Sequence, residues 1–345
     1  MTPPPVTPLD LEIAHALLQQ CGKDDAVLLE PLTGGRNNRT FRVRGTRGTW
    51  LLKHYFHDQN QGWNRAEREW EWATFCWQCG VRWGPEPLAF DRSRHATLSE
   101  FLDGRKLDAN ELTERHVEQS ASFVADINEH RNSPPATKIR DAAEACFSLK
   151  EHLDCVERRI SRLAAVLVND DLSQSLSDWR ERELEPRWKQ LVSRVKGRVT
   201  QTELEEFLPR SSRCLSPSDF GFHNALLTEN DRLRFFDFEY AGWDDPAKLV
   251  CDYFLQPEVP VPLQYQSQLL HVFSDRKLWG EVERRVELLF PVFGIKWCCL
   301  LLNEFLAQDR RRREFSQTAP ITESRKAEQF ARARQRLASL EEFQS

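Results

Sequence analysis

The chain lacks the sequence features of nucleic-acid-binding, membrane-spanning and secreted proteins. Acidic residues outnumber basic ones, and the net charge of −5 argues against nucleic acid as a partner. No run of 18 apolar residues is evident, so a membrane partner is not expected. The first residues, from Met1 to Pro5, have neither the basic nor the apolar region of a signal peptide. A cytoplasmic location is therefore expected.

The cysteine spacing indicates neither a disulfide framework nor a zinc site. The nine cysteines are most simply reduced thiols in a cytoplasmic protein. Cys76 and Cys79 form a Cys-x-x-Cys pair, but no second pair follows to complete a zinc site, so packing is the favoured interpretation. A length of 345 residues, 40% of them hydrophobic, suffices for two or more domain-sized units with cores of their own.

Two segments in the second half of the chain carry residues suited to phosphoryl transfer. Asp219 and Asn224 lie close enough for one short loop to present a carboxylate to a hydroxyl nucleophile and an amide oxygen to a metal. Residues 225–227 and 233–236 are predicted to form two short strands around a polar turn, which returns Asp237 beside Asn224. Oxygen ligands of this kind suit Mg²⁺. Acidic residues at loop ends also cap helices or face solvent, so this pattern alone is weak.

The tripeptide at Asp219 matches the metal-binding Asp-Phe-Gly of protein kinases, but we reject that alignment. It would require a metal-binding asparagine upstream of Asp219, whereas Asn224 lies downstream. A second Asp-Phe pair, Asp237-Phe238, follows at the distance expected for a metal ligand. Asp219 is therefore assigned to the acceptor hydroxyl and Asp237 to the metal.

The N-terminal half contains a paired-glycine turn and a strand that ends in lysine. Gly34-Gly35 lies between two predicted strands, where backbone amides can approach phosphates closely, although such pairs are also common in ordinary hairpins. Lys53 ends the next strand, from which it can reach the α and β phosphates of a nucleotide. Glu69, in a predicted helix, is favoured over Glu67 as the partner of Lys53; a solvated helix face is the alternative.

Together these residues resemble the aminoglycoside phosphotransferase and choline kinase-like superfamily. The resemblance implies an enzyme that uses ATP and Mg²⁺, with Asp219 as the catalytic residue and with Asn224 and Asp237 as metal ligands. The residues implied in nucleotide binding are Gly34, Gly35, Arg36, Asn37, Asn38, Lys53, Glu69, Ser99, Glu100, Phe101 and Leu102. The last four resemble the hinge whose backbone meets adenine.

The resemblance also implies an α+β, two-lobed protein kinase-like fold. An N-lobe over residues 1–102 would bind the nucleotide with an antiparallel sheet and one helix. A mainly helical C-lobe over residues 103–345 would carry a short catalytic hairpin and bind the acceptor, and it would include a helical segment at 135–200. Within that segment an apolar stripe at three- and four-residue steps predicts an amphipathic helix. The stripe consists of Phe147, Leu149, Leu153, Val156, Ile160, Leu163 and Leu167.

The acceptor is expected to be the hydroxyl of a small molecule: a sugar, an amino alcohol or an aminoglycoside-like compound. The stretch between Asp237 and Asp245 is too short for the activation segment of a protein kinase, and no Ala-Pro-Glu anchor follows. The arginine run at 310–313 either attracts an anionic acceptor or is a solvated helix end. The oligomeric state is not indicated.

One position departs from the family pattern. The family has a histidine two positions before the catalytic aspartate, whereas this chain has Pro217 there. In the family that histidine mainly organises the loop, so its loss need not abolish the chemistry. The alternative function is a catalytically weak nucleotide-binding sensor or scaffold protein.

Overall fold

The computed structural model describes residues 5–23, 27–32, 38–57, 63–274, 282–306, 315–316 and 322–340. The chain forms two compact units, each assembled from separate stretches of sequence. The first unit comprises Met1–Glu144, Leu215–Trp243 and Arg311–Pro320, and the second comprises Ala145–Cys214, Asp244–Arg310 and Ile321–Ser345. The predicted boundary after residue 102 falls inside the first unit, and a functional division at that point stays a prediction.

The first unit contains a five-stranded antiparallel sheet with strand order β1-β2-β3-β5-β4. Its strands are β1 (Leu28–Pro31), β2 (Asn38–Gly45), β3 (Gly48–Tyr55), β4 (Pro87–Asp91) and β5 (Ala96–Glu100). β3 is the central strand, and its Lys53 pairs with Thr40 of β2 and Thr97 of β5. The lysine is therefore fixed on both sides by the sheet.

In the described residues of the first unit three helices accompany this sheet, and two of them lie within residues 1–102, where one helix was predicted. They are α1 (Pro8–Gln20), α2 (Arg65–Gln78) and α3 (Glu114–Glu129). Thr7 begins α1 with a capping box, and Asn64 begins α2 by accepting a hydrogen bond from the Glu67 amide. Ile13 and Leu17 of α1 pack with Phe41 and Leu52 of the sheet in one buried core. Burial of this apolar surface anchors the sheet that carries Lys53.

Four short strands lie in the segment that follows residue 213. They are β6 (Cys214–Ser216), β7 (Ala225–Leu227), β8 (Leu233–Phe235) and β9 (Gly242–Asp244). β7 and β8 form the predicted antiparallel hairpin, in which Ala225 pairs with Phe235. Short 3₁₀ turns occur at Ala109–Glu111, Pro134–Lys138, Arg210–Ser212, Phe222–Asn224, Leu263–Tyr265 and Leu302–Phe305.

The second unit is built from helices in the described parts of the chain. Its α-helices are α4 (Leu149–Leu163), α5 (Asp171–Trp179), α6 (Glu185–Arg198), α7 (Gln201–Glu205), α8 (Pro246–Leu255), α9 (Gln266–Ser274), α10 (Val282–Leu301) and α11 (Glu323–Ser339). A π-helical turn, Arg180–Leu184, joins α5 to α6. The antiparallel sheet and the helical second unit agree with the predicted α+β class.

The stripe that predicted an amphipathic helix corresponds to α4. Leu149, Leu153, Val156, Ile160 and Leu163 are all buried on one side of that helix. The prediction was wrong for Leu167, which is 82% exposed because the helix ends at Leu163 and the stripe ends with it.

Buried polar contacts connect α8 to α4 and α10 inside the second unit. Asp245 caps α8 and its Oδ2 pairs with His152 Nε2 at 3.0 Å and with Arg285. Both Asp252 oxygens accept hydrogen bonds from Lys296 Nζ, at 3.0 and 2.9 Å. Because these carboxylates are buried, removal of either partner would leave an uncompensated charge inside the helix packing and destabilise it.

One segment corrects the expectation that no stretch is long and apolar enough to cross a membrane. Val282–Phe305 has a mean hydropathy of 1.6 over its most apolar window, and 72% of that window is buried inside the protein. Its helix α10 packs against α4, α8 and α11. This burial is typical of the core helix of a helical unit.

Gly242 allows two backbone segments of the first unit to approach closely, and we expect Gly242→Ala to destabilise the protein. A Cβ atom at this position would lie 2.5 Å from the Arg140 carbonyl oxygen and 2.6 Å from the Ala142 nitrogen. Relief requires a backbone shift, so the free energy of unfolding should fall by about 2 kcal/mol or more. Urea unfolding measures this change.

Gly197→Ala is the matched control. Among the described residues, no atom outside the backbone of α6 and the neighbouring residues lies within 4 Å of a Cβ built on Gly197, so alanine should leave stability unchanged or raise it by about 0.5–1 kcal/mol. Equal unfolding free energies for Gly242→Ala and the wild type would contradict the close approach.

Candidate active site

Lys53 lies between two carboxylates of the first unit. Its Nζ donates to Glu69 Oε1 and Oε2 at 2.8 and 3.0 Å and to Asp237 Oδ1 at 2.9 Å. The side chains of Lys53 and Glu69 are 9% and 12% exposed, whereas that of Asp237 is 33% exposed. The ammonium group is thus held on the buried side by Glu69 and on the open side by Asp237.

The charges around Lys53 keep it protonated. Burial lowers the pKa of Lys53, but the charges of Asp237 and Glu69 outweigh burial and hold it well above its usual value. Tyr55 donates to Glu69 Oε2 at 2.7 Å. Burial, with the charge of Glu69, raises the pKa of Tyr55, so the phenol stays protonated as a donor. A fixed positive charge therefore faces Asp237.

The structure pairs Lys53 with Glu69 and not with Glu67. Both glutamates lie on α2, but Glu67 forms ion pairs with Arg92 and, at 3.2 Å, with Arg140. The carboxylates of Glu67 and Glu69 therefore have different partners, although both residues lie on the same helix. Participation of Glu69 in nucleotide binding stays a prediction.

The predicted catalytic hairpin brings Asn224 and Asp237 to one end of β7 and β8. Asn224 directly precedes β7, and the Phe236 amide donates to the Asn224 carbonyl oxygen at 3.0 Å. Ser218 and Asp237 have φ angles of 68° and 69°, a left-handed conformation that is uncommon outside glycine. Such backbone persists where surrounding contacts determine it, and it occurs often at functional sites.

Asp219 is held from two directions by its own loop. Asn224 Nδ2 donates to the Asp219 carbonyl oxygen at 2.9 Å. His223 Nε2 lies 3.1 Å from Asp219 Oδ1, and the Asp219 side chain remains 41% exposed. The sequence analysis did not identify this pair, for which the position of His223 four residues after Asp219 was the available signal.

The hinge residues lie at the end of β5 and just beyond it. Ser99 and Glu100 belong to β5, where Ser99 pairs with Leu51, and Phe101 and Leu102 follow that strand. The Glu100 carboxylate accepts a hydrogen bond from Arg234 of β8 at 2.8 Å. The Arg42 guanidinium group lies 4.1 Å from the centre of the Phe101 ring. Contact of these residues with adenine stays a prediction.

Within the predicted phosphate-binding turn at residues 34–38, Asn38 is the residue that the structure describes. Its Nδ2 donates to Glu239 Oε2 at 2.8 Å, so its side chain is engaged inside the protein. Gly34, Gly35, Arg36 and Asn37 lie outside the described residues, and so do the arginines at 310–313. Their predicted roles stay predictions.

Glu239 forms a buried ion pair that sequence reasoning did not find. Arg65 Nη1 donates to Glu239 Oε1 at 2.6 Å and to the Tyr240 hydroxyl at 2.8 Å, and both charged side chains are at most 3% exposed. Burial and the charge of Asp237 raise the pKa of Glu239, while Arg65 opposes the shift. This pair links α2 to the segment that carries Asp237.

Lys106 is a second cation near Asp237. Its Nζ donates to the His223 carbonyl oxygen and lies 4.3 Å from the centre of the Phe236 ring. Desolvation of its ammonium group by neighbouring atoms lowers the pKa of Lys106 to about 8, although the residue is exposed and the charge of Asp237 opposes the shift. Lys106 therefore contacts both the loop after Asp219 and the segment before Asp237.

The donor atoms at this end of the hairpin fit a hard cation such as Mg²⁺. No cluster of three or more His, Cys, Asp or Glu side chains that could hold a metal occurs in the described parts of the chain. Asn224 and Asp237 offer an amide oxygen and a carboxylate, and Mg²⁺ commonly uses one or two such protein ligands together with substrate phosphates and water. Because the Asn224 amide nitrogen points to the Asp219 carbonyl, the amide oxygen is turned away from it.

The sequence and the fold both have counterparts among known proteins. The family model described as the phosphotransferase enzyme family, APH, matches residues 28–248. The chain belongs to the phosphotransferase enzyme family. The predicted superfamily is therefore confirmed. Comparison with curated protein sequences gives no match.

Several solved structures share the fold of this phosphotransferase-family chain. Choline kinase from Cryptosporidium parvum Iowa II matches with a TM-score of 0.57 and 14% identity, over 96% of this chain and 97% of that one. The LicA complex with AMP matches with a TM-score of 0.59 and 15% identity, over 95% and 98% of the two chains. LicA is a choline kinase from Streptococcus pneumoniae.

A third solved structure is the spectinomycin phosphotransferase complex with ADP and spectinomycin. It matches with a TM-score of 0.64 and 11% identity, over 96% of this chain and 98% of that one. At such identities the likeness establishes the fold alone. The predicted protein kinase-like α+β fold is confirmed.

Proposed function

We propose that this member of the phosphotransferase enzyme family transfers the γ-phosphoryl group of ATP, with Mg²⁺, to a hydroxyl of a small molecule. The observation that carries the proposal is the position of Lys53, fixed between Glu69 and Asp237 beside the loop of Asp219 and Asn224. Phosphoryl transfer needs positioned charge more than covalent chemistry, and these residues supply charge of both signs.

Each residue has a proposed task in the transfer. Asp219 orients the acceptor hydroxyl and accepts its proton as the phosphoryl group leaves ATP. Lys53 binds the α and β phosphates, and Glu69 holds Lys53 in position. Asn224 and Asp237 would hold Mg²⁺, which would supply positive charge for the phosphates of the nucleotide.

The proposed nucleotide contacts involve two further segments. Gly34, Gly35 and the residues up to Asn38 would approach the phosphates through backbone amides. Ser99 to Leu102 would contact adenine through backbone groups. In this proposal residues 1–102 form the nucleotide-binding lobe, and residues 103–345 form the catalytic and acceptor-binding lobe.

The acceptor is proposed only by chemical class. Structures that share the fold include a choline kinase, an ethanolamine kinase and a complex with gentamicin. We therefore propose a sugar, an amino alcohol or an aminoglycoside-like compound, with neither nucleic acid nor a membrane as partner, and a cytoplasmic location.

A second candidate function is a catalytically weak nucleotide sensor or scaffold. Pro217 favours it, because the family histidine two positions before the catalytic aspartate is absent. Such a protein would bind ATP without acceptor-dependent release of ADP.

Thermal unfolding with nucleotide tests the proposal. We expect ATP with Mg²⁺ to raise the melting temperature, because a ligand at 100 times its Kd stabilises the folded state by about 2.7 kcal/mol. One class among aminoglycosides, amino alcohols, sugars and nucleosides should raise it further. EDTA is the control, and it should remove the magnesium-dependent part of the shift.

The possible results separate the two candidate functions. A nucleotide shift that one acceptor class enlarges supports the phosphotransferase. A nucleotide shift that no acceptor class changes, without ADP release, supports the sensor. No shift at millimolar ATP would contradict nucleotide binding altogether.

A further inference from the structure

The loop around Asp219 contains a histidine at a position different from the one the family pattern uses. The family residue lies two positions before the aspartate, where this chain has Pro217. His223 lies four positions after the aspartate, inside the 3₁₀ turn Phe222–Asn224. The chain therefore has a histidine after Asp219 in sequence, and not before it as in the family pattern.

The geometry of His223 shows how it contacts Asp219. Its Nε2 lies 3.1 Å from Asp219 Oδ1, within hydrogen-bonding distance. An ionised carboxylate only accepts hydrogen bonds, so Nε2 carries the proton and donates. In the described part of the protein the buried Nδ1 atom has no hydrogen-bond partner, so the ring makes its side-chain contact with Asp219 through Nε2.

Several contacts fix the backbone of His223. Lys106 Nζ donates to the His223 carbonyl oxygen, and the Asn224 amide donates to the Gly221 carbonyl oxygen at 3.0 Å. The His223 side chain is 17% exposed, against 41% for Asp219. The histidine is therefore the more buried and better supported member of the pair.

We propose that His223 is a positioning residue that orients the Asp219 carboxylate toward the acceptor hydroxyl, in place of the histidine that Pro217 replaces. This inference rests on the proposed function. The hydrogen bond restricts rotation of the Asp219 side chain, which is 41% exposed. Pre-orientation of this kind raises the rate of the chemical step because misplacement by about 1 Å can cost roughly 100-fold.

The test compares His223→Ala with His223→Gln. We expect His223→Ala to lower kcat by about 10–100-fold while the KM for ATP changes by less than about threefold. The reason is that His223 orients the Asp219 carboxylate toward the acceptor hydroxyl and does not contact the nucleotide in this proposal. His223→Gln restores an N–H donor of similar reach and should recover part of the lost kcat. Where no acceptor is known, the slow hydrolysis of ATP serves as the reaction.

The control variant is His130→Gln, at the end of α3 in the same unit, and it should leave kcat unchanged. Nitrogen-15 NMR of histidine adds a readout that does not depend on turnover. The His223 signals should show the Nε2-protonated ring in the wild type and should shift in Asp219→Asn. The melting temperatures of all variants report on folding.

The outcomes distinguish this inference from the proposed function. If turnover depends on Asp219 but is unchanged in His223→Ala, the inference about His223 is overturned and the proposed function stands. Equal losses in His223→Ala and His223→Gln would also overturn it, because the N–H donor would then be irrelevant. Absence of any Asp219-dependent turnover in the wild type would overturn the proposed function and the inference together.

Discussion

Replacing Asp219 with asparagine is expected to lower turnover by on the order of 10²–10⁴-fold. Asparagine has nearly the same shape, but its amide cannot take a proton from the acceptor hydroxyl. The side chain contacts His223 and is 41% exposed, so the substitution should leave the fold intact. Lys53, Glu69 and Asp237 are unchanged in this variant, and ATP binding should therefore survive.

Steady-state turnover and ATP titration, measured on the same preparation, check this expectation. Asp154→Asn is a suitable control, because Asp154 is an aspartate of similar exposure, 46%, that pairs with Lys150 in α4. Its turnover should match that of the wild type. Near-normal turnover of Asp219→Asn would remove the residue from its assigned role.

Asp237→Asn should abolish most of the magnesium-dependent part of ATP binding. The substitution removes one charged oxygen ligand, and we expect the affinity for ATP with Mg²⁺ to fall by roughly tenfold or more. Mutation of a residue that only supports a metal ligand already lowers metal affinity by about that factor. Lys53 keeps its bonds to Glu69 at 2.8 and 3.0 Å, so the buried side of the site retains its partner. Calorimetry with and without Mg²⁺ separates the two contributions.

Asp231→Asn is a matched control for this experiment. Asp231 and Asp237 have left-handed φ angles of 56° and 69°, a conformation that asparagine also adopts. Asp231 lies in the turn of the same hairpin and forms an ion pair with Arg115 at 3.2 Å. The control should bind ATP with Mg²⁺ as the wild type does. Unchanged magnesium dependence in Asp237→Asn would exclude Asp237 as a ligand.

Local sequence patterns predicted those parts of the site that depend on spacing along the chain. A strand, a polar turn and a second strand between Asn224 and Asp237 were sufficient to predict the hairpin. The pairing of Lys53 with Glu69 followed from a strand followed by a helix, although the choice between Glu69 and Glu67 depended on the helix face. The structure resolves that choice through the separate partners of Glu67.

Other contacts could not be predicted because they join residues far apart in sequence. Arg65 and Glu239 are 174 positions apart, and neither has a neighbouring pattern that marks an ion pair.

The contact between His223 and Asp219 is local, but it depends on the 3₁₀ turn and on the left-handed backbone at Ser218. Leu167 was wrongly predicted to belong to the buried stripe, because the periodic pattern in the sequence continues beyond the end of α4 at Leu163.

Transfer of labelled phosphate from γ-³²P ATP is the measurement that tests the central claim most directly. The wild type and Asp219→Asn would be incubated with Mg²⁺ and each acceptor class, and the products would be separated by thin-layer chromatography. We predict one labelled acceptor with the wild type and a greatly reduced amount with Asp219→Asn at equal ATP occupancy. Magnesium-dependent ATP binding without label on any acceptor would contradict the phosphotransferase and favour the nucleotide sensor.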